Sequence, residues 1–470
     1  MTHPTEPTPT TDADTTAATD TNADAVSTPS ATPDPSAWGL ATRSIHAGQV
    51  PDSDSGSRAL PIHQTTSYVF ADADQAANRF ALAELGPIYT RLTNPTTEAV
   101  ENRLAALDGG VGALLLSSGQ SATTFSLLNL CRAGDHVVAS AHLYGGTQNL
   151  LAVTLEKLGI HTTFVDEPND PAAWREATRG NTKAWFAETI ANPSGLVLDI
   201  RPVADAAHEA GVPLIVDNTV ATPALLRPLE HGADVVVYSA TKFLGGHGTA
   251  IAGAIVDGGT FDYGAQPERF PNFTEPDPSY NGLVFARDLG ADGAFGVNLS
   301  YVLRARVCLL RDLGSAPAPF NAWLIAQGLE TLTLRLQKHV ANAHEVARWL
   351  DARPEVTRVQ WAGLPDHPSH EVAQRYLPDG PGSVLSFELA GGADAGRAFV
   401  SALQLFSHVA NIGDVRSLVI HPASTTHAQL SDAERLAAGV TPGLVRLSVG
   451  IEDSADLLAD LERGLAAVAR

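Results

Sequence analysis

Lys242 and Asp217 are the residues whose types and placement could do chemistry together. Lys242 is one of four lysines in this 470-residue chain, with Lys157, Lys183 and Lys338. It follows the apolar run Val235–Tyr238 and precedes Phe243-Leu244-Gly245-Gly246-His247-Gly248, while Asp217 ends a second apolar run, Val212–Val216. If both runs are strands of a parallel α/β sheet, their carboxyl ends border one ligand crevice. An amine and a carboxylate so placed could hold pyridoxal phosphate: lysine condenses with its aldehyde, and aspartate keeps the pyridine nitrogen protonated so that the ring takes up electrons. Ser239 and Thr241 add hydroxyls, and the glycines permit close approach of a phosphate. A structural ion pair and an ordinary left-handed turn would leave the same pattern.

Other segments suit the same chemistry. Leu114-Leu115-Leu116-Ser117-Ser118-Gly119-Gln120 is a strand, a small-residue turn and a helix start, so the amides of Gly119 and Gln120 could bind an anion at the positive end of a helix dipole; a plain N-cap by Ser117 or Ser118 is the structural alternative. Tyr144 stands beside Gly145-Gly146 after another strand, where it could stack on a planar ring or simply pack. Asn192, in Glu188-Thr189-Ile190-Ala191-Asn192-Pro193, could bond a ring hydroxyl or only form a turn. Tyr89 and Arg91 precede a helix and suit a phosphate, as a phenol donor and a guanidinium fork; a capped helix start with an exposed arginine is the bland reading. Arg446 alternates with Val445 and Leu447 in an apolar strand near the C-terminus and needs an anionic partner, either a substrate carboxylate or an internal Asp or Glu.

The elements that must position these residues follow a βαβ rhythm. Val111–Leu116, His136–Ala139, Thr162–Val165, Ala184–Ala187, Leu214–Val216, Val235–Tyr238 and Ile251–Val256 are short apolar runs, several separated by helical patterns. This predicts a mostly parallel sheet covered on both faces. Residues 257–300 break the rhythm, as a functional or interface loop would. A single amphipathic helix is expected from Phe320 to about Leu350, ended by Pro354 and followed by a smaller α+β unit.

Composition narrows the partners. A formal charge of −22 argues against nucleic acid and anionic membrane surfaces, and no apolar run is long enough to span a bilayer. Cys131 and Cys308 are far apart and form no metal or disulfide framework, which fits a reducing cytoplasm and no metal. Residues 1–37 lack the basic start and apolar stretch of a signal peptide and read as a disordered acidic tail. No lysine follows a glycine, so Walker A is excluded; His208-Glu209, His344-Glu345 and His370-Glu371 lack the second histidine of zinc-protease motifs, and no G-x-S-x-G occurs.

With Tyr89, Arg91, Ser118-Gly119-Gln120, Tyr144, Asn192, Asp217 and Ser239-Ala240-Thr241-Lys242 in this order, the chain from about Thr42 onward resembles the Cys/Met-metabolism family of pyridoxal-phosphate enzymes, the cystathionine γ-synthase-like group. Asn411 to His427, the 257–300 insertion with Tyr280-Asn281-Gly282, and Gly328-Leu329-Glu330-Thr331-Leu332 are similar to its O-acetylhomoserine sulfhydrylase branch. Cystathionine-forming relatives usually carry Glu where Arg416 stands, which implies a small thiol rather than cysteine as second substrate. The family usually has Met or a small residue where Gln120 lies, a harmless change if only its backbone N–H is used.

The resemblance implies an aspartate-aminotransferase-like fold (fold type I): a cofactor-binding α/β domain over 86–318, an α+β domain over 319–470, and an arm over 38–85 at a subunit interface. It implies a homotetramer of two-site dimers in which Tyr89 and Arg91 reach the neighbouring subunit's phosphate. The implied reaction is γ-replacement of acetate by sulfide on O-acetylhomoserine, giving homocysteine for methionine biosynthesis. Lys242 would move the Cα proton, Tyr144 and the neighbour's Tyr89 would assist, and Arg446 with Ser417 would hold the α-carboxylate. The succinyl ester as substrate, a methionine or cystathionine γ-lyase on the same scaffold, and a non-catalytic phosphate-binding α/β protein are the rival readings.

Overall fold

The computed structural model describes residues 34–426, 428, 435 and 439–468. The expected disorder of the first 33 residues, and His427, lie outside them. Pro35–Ala37 forms a short 3-10 turn whose end is tied in by Arg43, which donates to Ser36 O at 2.8 Å and Trp38 O at 2.8 Å.

Seven strands form the first sheet: β1 (Gly112–Leu116), β2 (His136–Ser140), β3 (His161–Val165), β4 (Thr182–Glu188), β5 (Leu214–Asp217), β6 (Val235–Tyr238) and β7 (Gly253–Asp257), in spatial order β1-β7-β6-β5-β4-β2-β3. β6, β5, β4, β2 and β3 run parallel, and β7 is antiparallel to both its neighbours. β2, β4, β6 and β7 bury both faces, as their near-continuous apolar runs require, whereas the edge strand β3 is partly exposed. Leu115, Val138, Trp185, Val216 and Val236 fill one core with helix Pro95–Asp108, whereas Leu114, Val137, Phe186, Ile215 and Val237 fill the other. The period-2 alternation of side chains assigns consecutive residues to opposite cores.

Residues 257–300 are not the open loop their composition suggests. They form short helical turns at Tyr263–Ala265, Pro271–Thr274, Pro278–Tyr280 and Phe285–Asp288. Tyr263 stacks on Phe273 (centroids 4.3 Å apart) and Tyr301, with Phe270 edge-on. These buried rings seal the second core, each contributing on the order of 2 kcal/mol or more by leaving water.

The single helix expected from Phe320 to Leu350 is instead two, Pro319–Glu330 and Leu332–Asp351. At Gly328 a Cβ would lie 2.4 Å from the carbonyl oxygens of both Gly245 and Leu244, so the backbone there abuts the turn after Lys242. Arg335 then donates to Gly328 O at 2.7 Å and Phe243 O at 2.8 Å. The Gly328 carbonyl, which a continuous helix would satisfy internally, is taken by this guanidinium, and the chain bends at Thr331. Periodicity cannot register such a break, because both halves keep the same apolar face.

A second sheet, β10-β11-β12-β9-β8 in spatial order, comprises β8 (Val356–Gln360), β9 (Val384–Leu389), β10 (Ser407–His408), β11 (Leu418–Ile420) and β12 (Leu444–Ser448). Its pairings are antiparallel except β10 with β11. Phe387, Leu385, Val445 and Leu447 pack against helices Leu332–Asp351 and Ser454–Val468. Among the described residues no helix is long and apolar enough to cross a membrane.

Candidate active site

At the carboxyl ends of β4, β5 and β6 lies a cavity of about 280 Å³ lined by Gly119, Gln120, Tyr144, Asn192, Asp217, Ser239, Thr241, Lys242 and Arg446, together with Glu188, Thr219 and Asn411. Nine residues singled out by type and spacing thus meet in one place. They come from five segments of the first sheet and one strand of the second.

Lys242 sits one turn past β6, its N–H donating to Ser239 O at 3.1 Å. Its Nζ donates to Asn411 Oδ1 at 2.5 Å. Burial pulls its ammonium below the ordinary lysine value, and the charge of Arg446 adds to that. An amine easily freed of its proton is a nucleophile and a base.

Asp217 ends β5 with Oδ1 accepting the Thr219 N–H at 2.9 Å. Burial raises its carboxyl, and Glu188, its register partner on β4, is raised strongly by burial and by the charge of Asp217. Among the described residues neither makes an ion pair. A cationic ring nitrogen would relieve this. Glu188 accepts the Tyr144 N–H at 2.5 Å and the Asn192 N–H at 3.4 Å, tethering both loops.

The phosphate end is built from the helix Gly119–Leu128, capped by Ser118 Oγ on the Ser121 N–H. Its own ladder starts with Ala122 donating to Ser118 O, so the amides of Gly119 and Gln120 precede it and point outward from the helix end. A Cβ on Gly119 would lie 2.6 Å from Ser239 Cβ, so only glycine lets these two segments close into a cradle. Thr219 Oγ1 accepts the Ser239 N–H at 2.8 Å, and Thr241 Oγ1 is held at 3.1 Å by Ala252 O and N–H. The Gln120 side chain donates to Gly146 O at 3.0 Å, joining the cradle to the Tyr144 turn. An anion cradle, a buried carboxylate at a cationic position and a depressed amine together fit pyridoxal phosphate.

Arg446 decides between its two readings. Its guanidinium donates to Asn192 Oδ1 and Asn411 O, each at 3.2 Å, and among the described residues it pairs with no carboxylate. Burial pushes it down to about 10. A cation kept in this cavity with only neutral acceptors is matched by an incoming carboxylate.

Three expected residues are elsewhere. Ser417 is buried away from the cavity: its hydroxyl donates to Glu452 Oε2 at 2.9 Å and accepts the Gly450 N–H at 2.8 Å. With both roles of its hydroxyl filled, it does not share the carboxylate site with Arg446. Asn411, six positions earlier in the same stretch, is the residue that reaches Lys242 and Arg446; its side chain carried no periodic or motif signal of its own. Tyr89 is exposed, and Arg91 donates to Arg311 O with its guanidinium 5.4 Å from the Tyr89 ring centroid. Neither lines the cavity of its own chain. Glu188 and Thr219 were also missed, although Glu188 ends a strand as Asp217 does.

Comparison with known proteins agrees with this geometry. Residues 41–466 match the family described as Cys/Met metabolism PLP-dependent enzyme. The chain is 54% identical over 434 residues to an O-acetyl-L-homoserine sulfhydrylase of Corynebacterium glutamicum, covering 92% of this chain and 98% of that one. It is 53% identical over 426 residues to an O-acetyl-L-homoserine sulfhydrylase of Leptospira meyeri, covering 90% and 96%. A solved structure of an O-acetylhomoserine (thiol)-lyase from Campylobacter jejuni, with a pyridoxyl-lysine phosphate in its chain, superposes with a TM-score of 0.86 at 39% identity, covering 91% of this chain and all of that one.

Proposed function

The chain belongs to the Cys/Met metabolism PLP-dependent enzyme family, and from that premise we propose that it replaces the acetate of O-acetyl-L-homoserine by sulfide or a small thiol, giving L-homocysteine and acetate in methionine biosynthesis. The fold is that of the type I pyridoxal-phosphate enzymes, and pyridoxal phosphate is the cofactor. When bound it supplies an electron sink for charge developing at the substrate's Cα and Cβ.

The residues divide the work by position. Gly119, Gln120, Ser239 and Thr241 would hold the phosphate, Asp217 would balance the ring nitrogen, Asn192 would bond the ring hydroxyl, and Tyr144 would pack on the ring. Lys242 Nζ, kept low in proton affinity by burial, takes the Cα proton and returns it at the end of the cycle. Arg446, seated beside Asn411 and Asn192, binds the α-carboxylate. A second proton leaves Cβ, the Cγ–O bond breaks with acetate departing, a Cγ–S bond forms to hydrosulfide, and a proton returns to Cβ, Tyr144 and the neighbouring subunit's Tyr89 assisting.

The observation that carries this reading is the uncompensated guanidinium of Arg446 beside the Nζ of Lys242. With Arg446 and Lys242 lining one cavity and both bonded to Asn411, it calls for an amino-acid carboxylate. Arg416, whose Nε and Nη2 are held by Asp414 at 2.7 and 2.9 Å, supports a small thiol over cysteine. We infer further that the working assembly is a homotetramer of two-site dimers, in which Tyr89 and Arg91 complete the neighbour's phosphate site. Their position outside their own cavity supports this, and two free cysteines support a cytoplasmic setting.

Steady-state assays with acetyl- and succinyl-homoserine plus sulfide test the reaction. Homocysteine formation with the acetyl ester favoured is expected; γ-elimination of methionine or cystathionine at a greater rate would replace the reading by a lyase. Borohydride should fix the cofactor's mass on Lys242, and a colourless protein would dismiss the cofactor chemistry.

A further inference from the structure

Directly beyond the row Glu188, Asp217 and Val237 comes a second row, Thr189 and Asn218 just past the ends of β4 and β5 and Tyr238 at the end of β6, still joined by Thr189 N–H to Asp217 O and Asn218 N–H to Val237 O, each at 3.0 Å. Alternation turns this row to the face opposite the cofactor cavity. All three side chains are fully buried there, and so is Asp108, the last residue of helix Pro95–Asp108. The four form one chain of hydrogen bonds. Thr189 Oγ1 donates to Asn218 Oδ1 at 2.8 Å, Asn218 Nδ2 donates to Tyr238 OH at 3.0 Å, and Tyr238 OH donates to the Asp108 carboxylate at 2.7 and 2.9 Å. Asn218 Nδ2 also donates to Leu226 O at 2.8 Å.

Every donor in the chain points toward Asp108. A carboxylate this deeply buried is costly, and apolar packing alone would serve a helix end better. What distinguishes the location is that each strand-borne member is the immediate neighbour of a cavity residue: Thr189 follows Glu188, Asn218 follows Asp217, and Tyr238 precedes Ser239. Hydrogen bonds in series within a low-dielectric core stiffen and polarise one another, so the chain links three strand ends beyond their ladder and the Thr219–Ser239 bond.

We propose that Asp108 and Tyr238 are positioning residues for the cofactor. Through Asn218 and Thr189 they hold the ends of β4, β5 and β6 so that Asp217 meets the ring nitrogen and Ser239 the phosphate. The proposal rests on the pyridoxal-phosphate reading above. Neither residue touches the cavity, so their effect is transmitted by the backbone of the next residue along.

The test uses the holoenzyme and two variants. Tyr238→Phe removes the central hydroxyl; Asp108→Asn keeps the shape and an acceptor but removes the charge. Tyr238→Phe is expected to lose cofactor on dialysis roughly tenfold faster, to lower kcat roughly tenfold with KM little changed, and to shift the pH midpoint of the bound cofactor's visible absorbance. Asp108→Asn should shift the midpoint in the same direction by less. A lower Tm with wild-type spectrum, midpoint and kcat in both variants would reduce the chain to a packing feature and overturn the proposal. If Tyr238→Phe does not fold, Asp108→Asn decides alone, an unshifted midpoint and wild-type kcat counting against it. A wild-type protein without visible absorbance would instead remove the cofactor reading beneath it.

Discussion

Glu188 and Asp217 are register partners on adjacent parallel strands, and both carboxyl groups open into the same buried cavity. Burial, and for Glu188 the charge of Asp217 as well, makes both hold a proton more tightly than ordinary carboxylates do. Their tethers differ: Glu188 is engaged by two backbone amides of the Tyr144 and Asn192 loops, whereas Asp217 is bonded by Thr219 alone, through its N–H and its side chain.

Asp217→Asn is therefore expected to lower kcat by orders of magnitude with the fold intact, since an amide cannot balance a protonated ring nitrogen. Glu188→Gln should cost much less, on the order of tenfold, because one oxygen still accepts an amide. Turnover and circular dichroism of both variants check the ranking. Equal activity in Asp217→Asn and wild type would remove Asp217 from the ring.

Arg446→Lys keeps a charge and loses the fork. If the group binds the substrate carboxylate, kcat/KM for O-acetylhomoserine should fall about ten- to a hundredfold while the cofactor's visible spectrum stays near wild type. An internal structural role predicts the reverse, a lower Tm with kinetics preserved. Both quantities measured on one variant separate the two.

Gly119→Ala places a methyl group 2.6 Å from Ser239 Cβ and 2.9 Å from Ser239 Cα. Backbone on both sides must part, which opens the phosphate cradle. Cofactor affinity should fall by roughly ten- to a hundredfold with only a modest loss of Tm, as read by equilibrium dialysis. Unaltered affinity would mean that the phosphate is held elsewhere.

His339 reports on pH. Its Nδ1 donates to Val449 O at 2.7 Å, its ring stands edge-on to Phe243, and burial pushes it down to about 4. The unfolded chain takes up this proton near the ordinary imidazole value, about 6.5. The folded state refuses it until about 4, so stability is lost as pH falls through that window. Between about pH 7 and pH 5 this costs about 2 kcal/mol, and His339→Gln should flatten the denaturation midpoint over that range by the same amount. An unchanged slope would assign the proton uptake to other groups.

Sequence alone determined what depends on short range. Short continuous apolar runs placed Asp217 and Lys242 at strand ends, and the small residues before a helix placed Gly119 at a turn, because strand propensity and capping are settled within a few residues. Seven strands and the site's first-sheet residues were legible for that reason. The tertiary structure decided what depends on how the second sheet meets the first. It set Asn411 against Lys242 across 169 positions, left Arg446 without a carboxylate partner among the described residues, and bent the chain at Thr331 where Gly328 meets the Lys242 turn. It also enclosed Asp108 beneath the strand ends. A side chain's partner at that separation is fixed by packing of whole elements, and no local pattern encodes it.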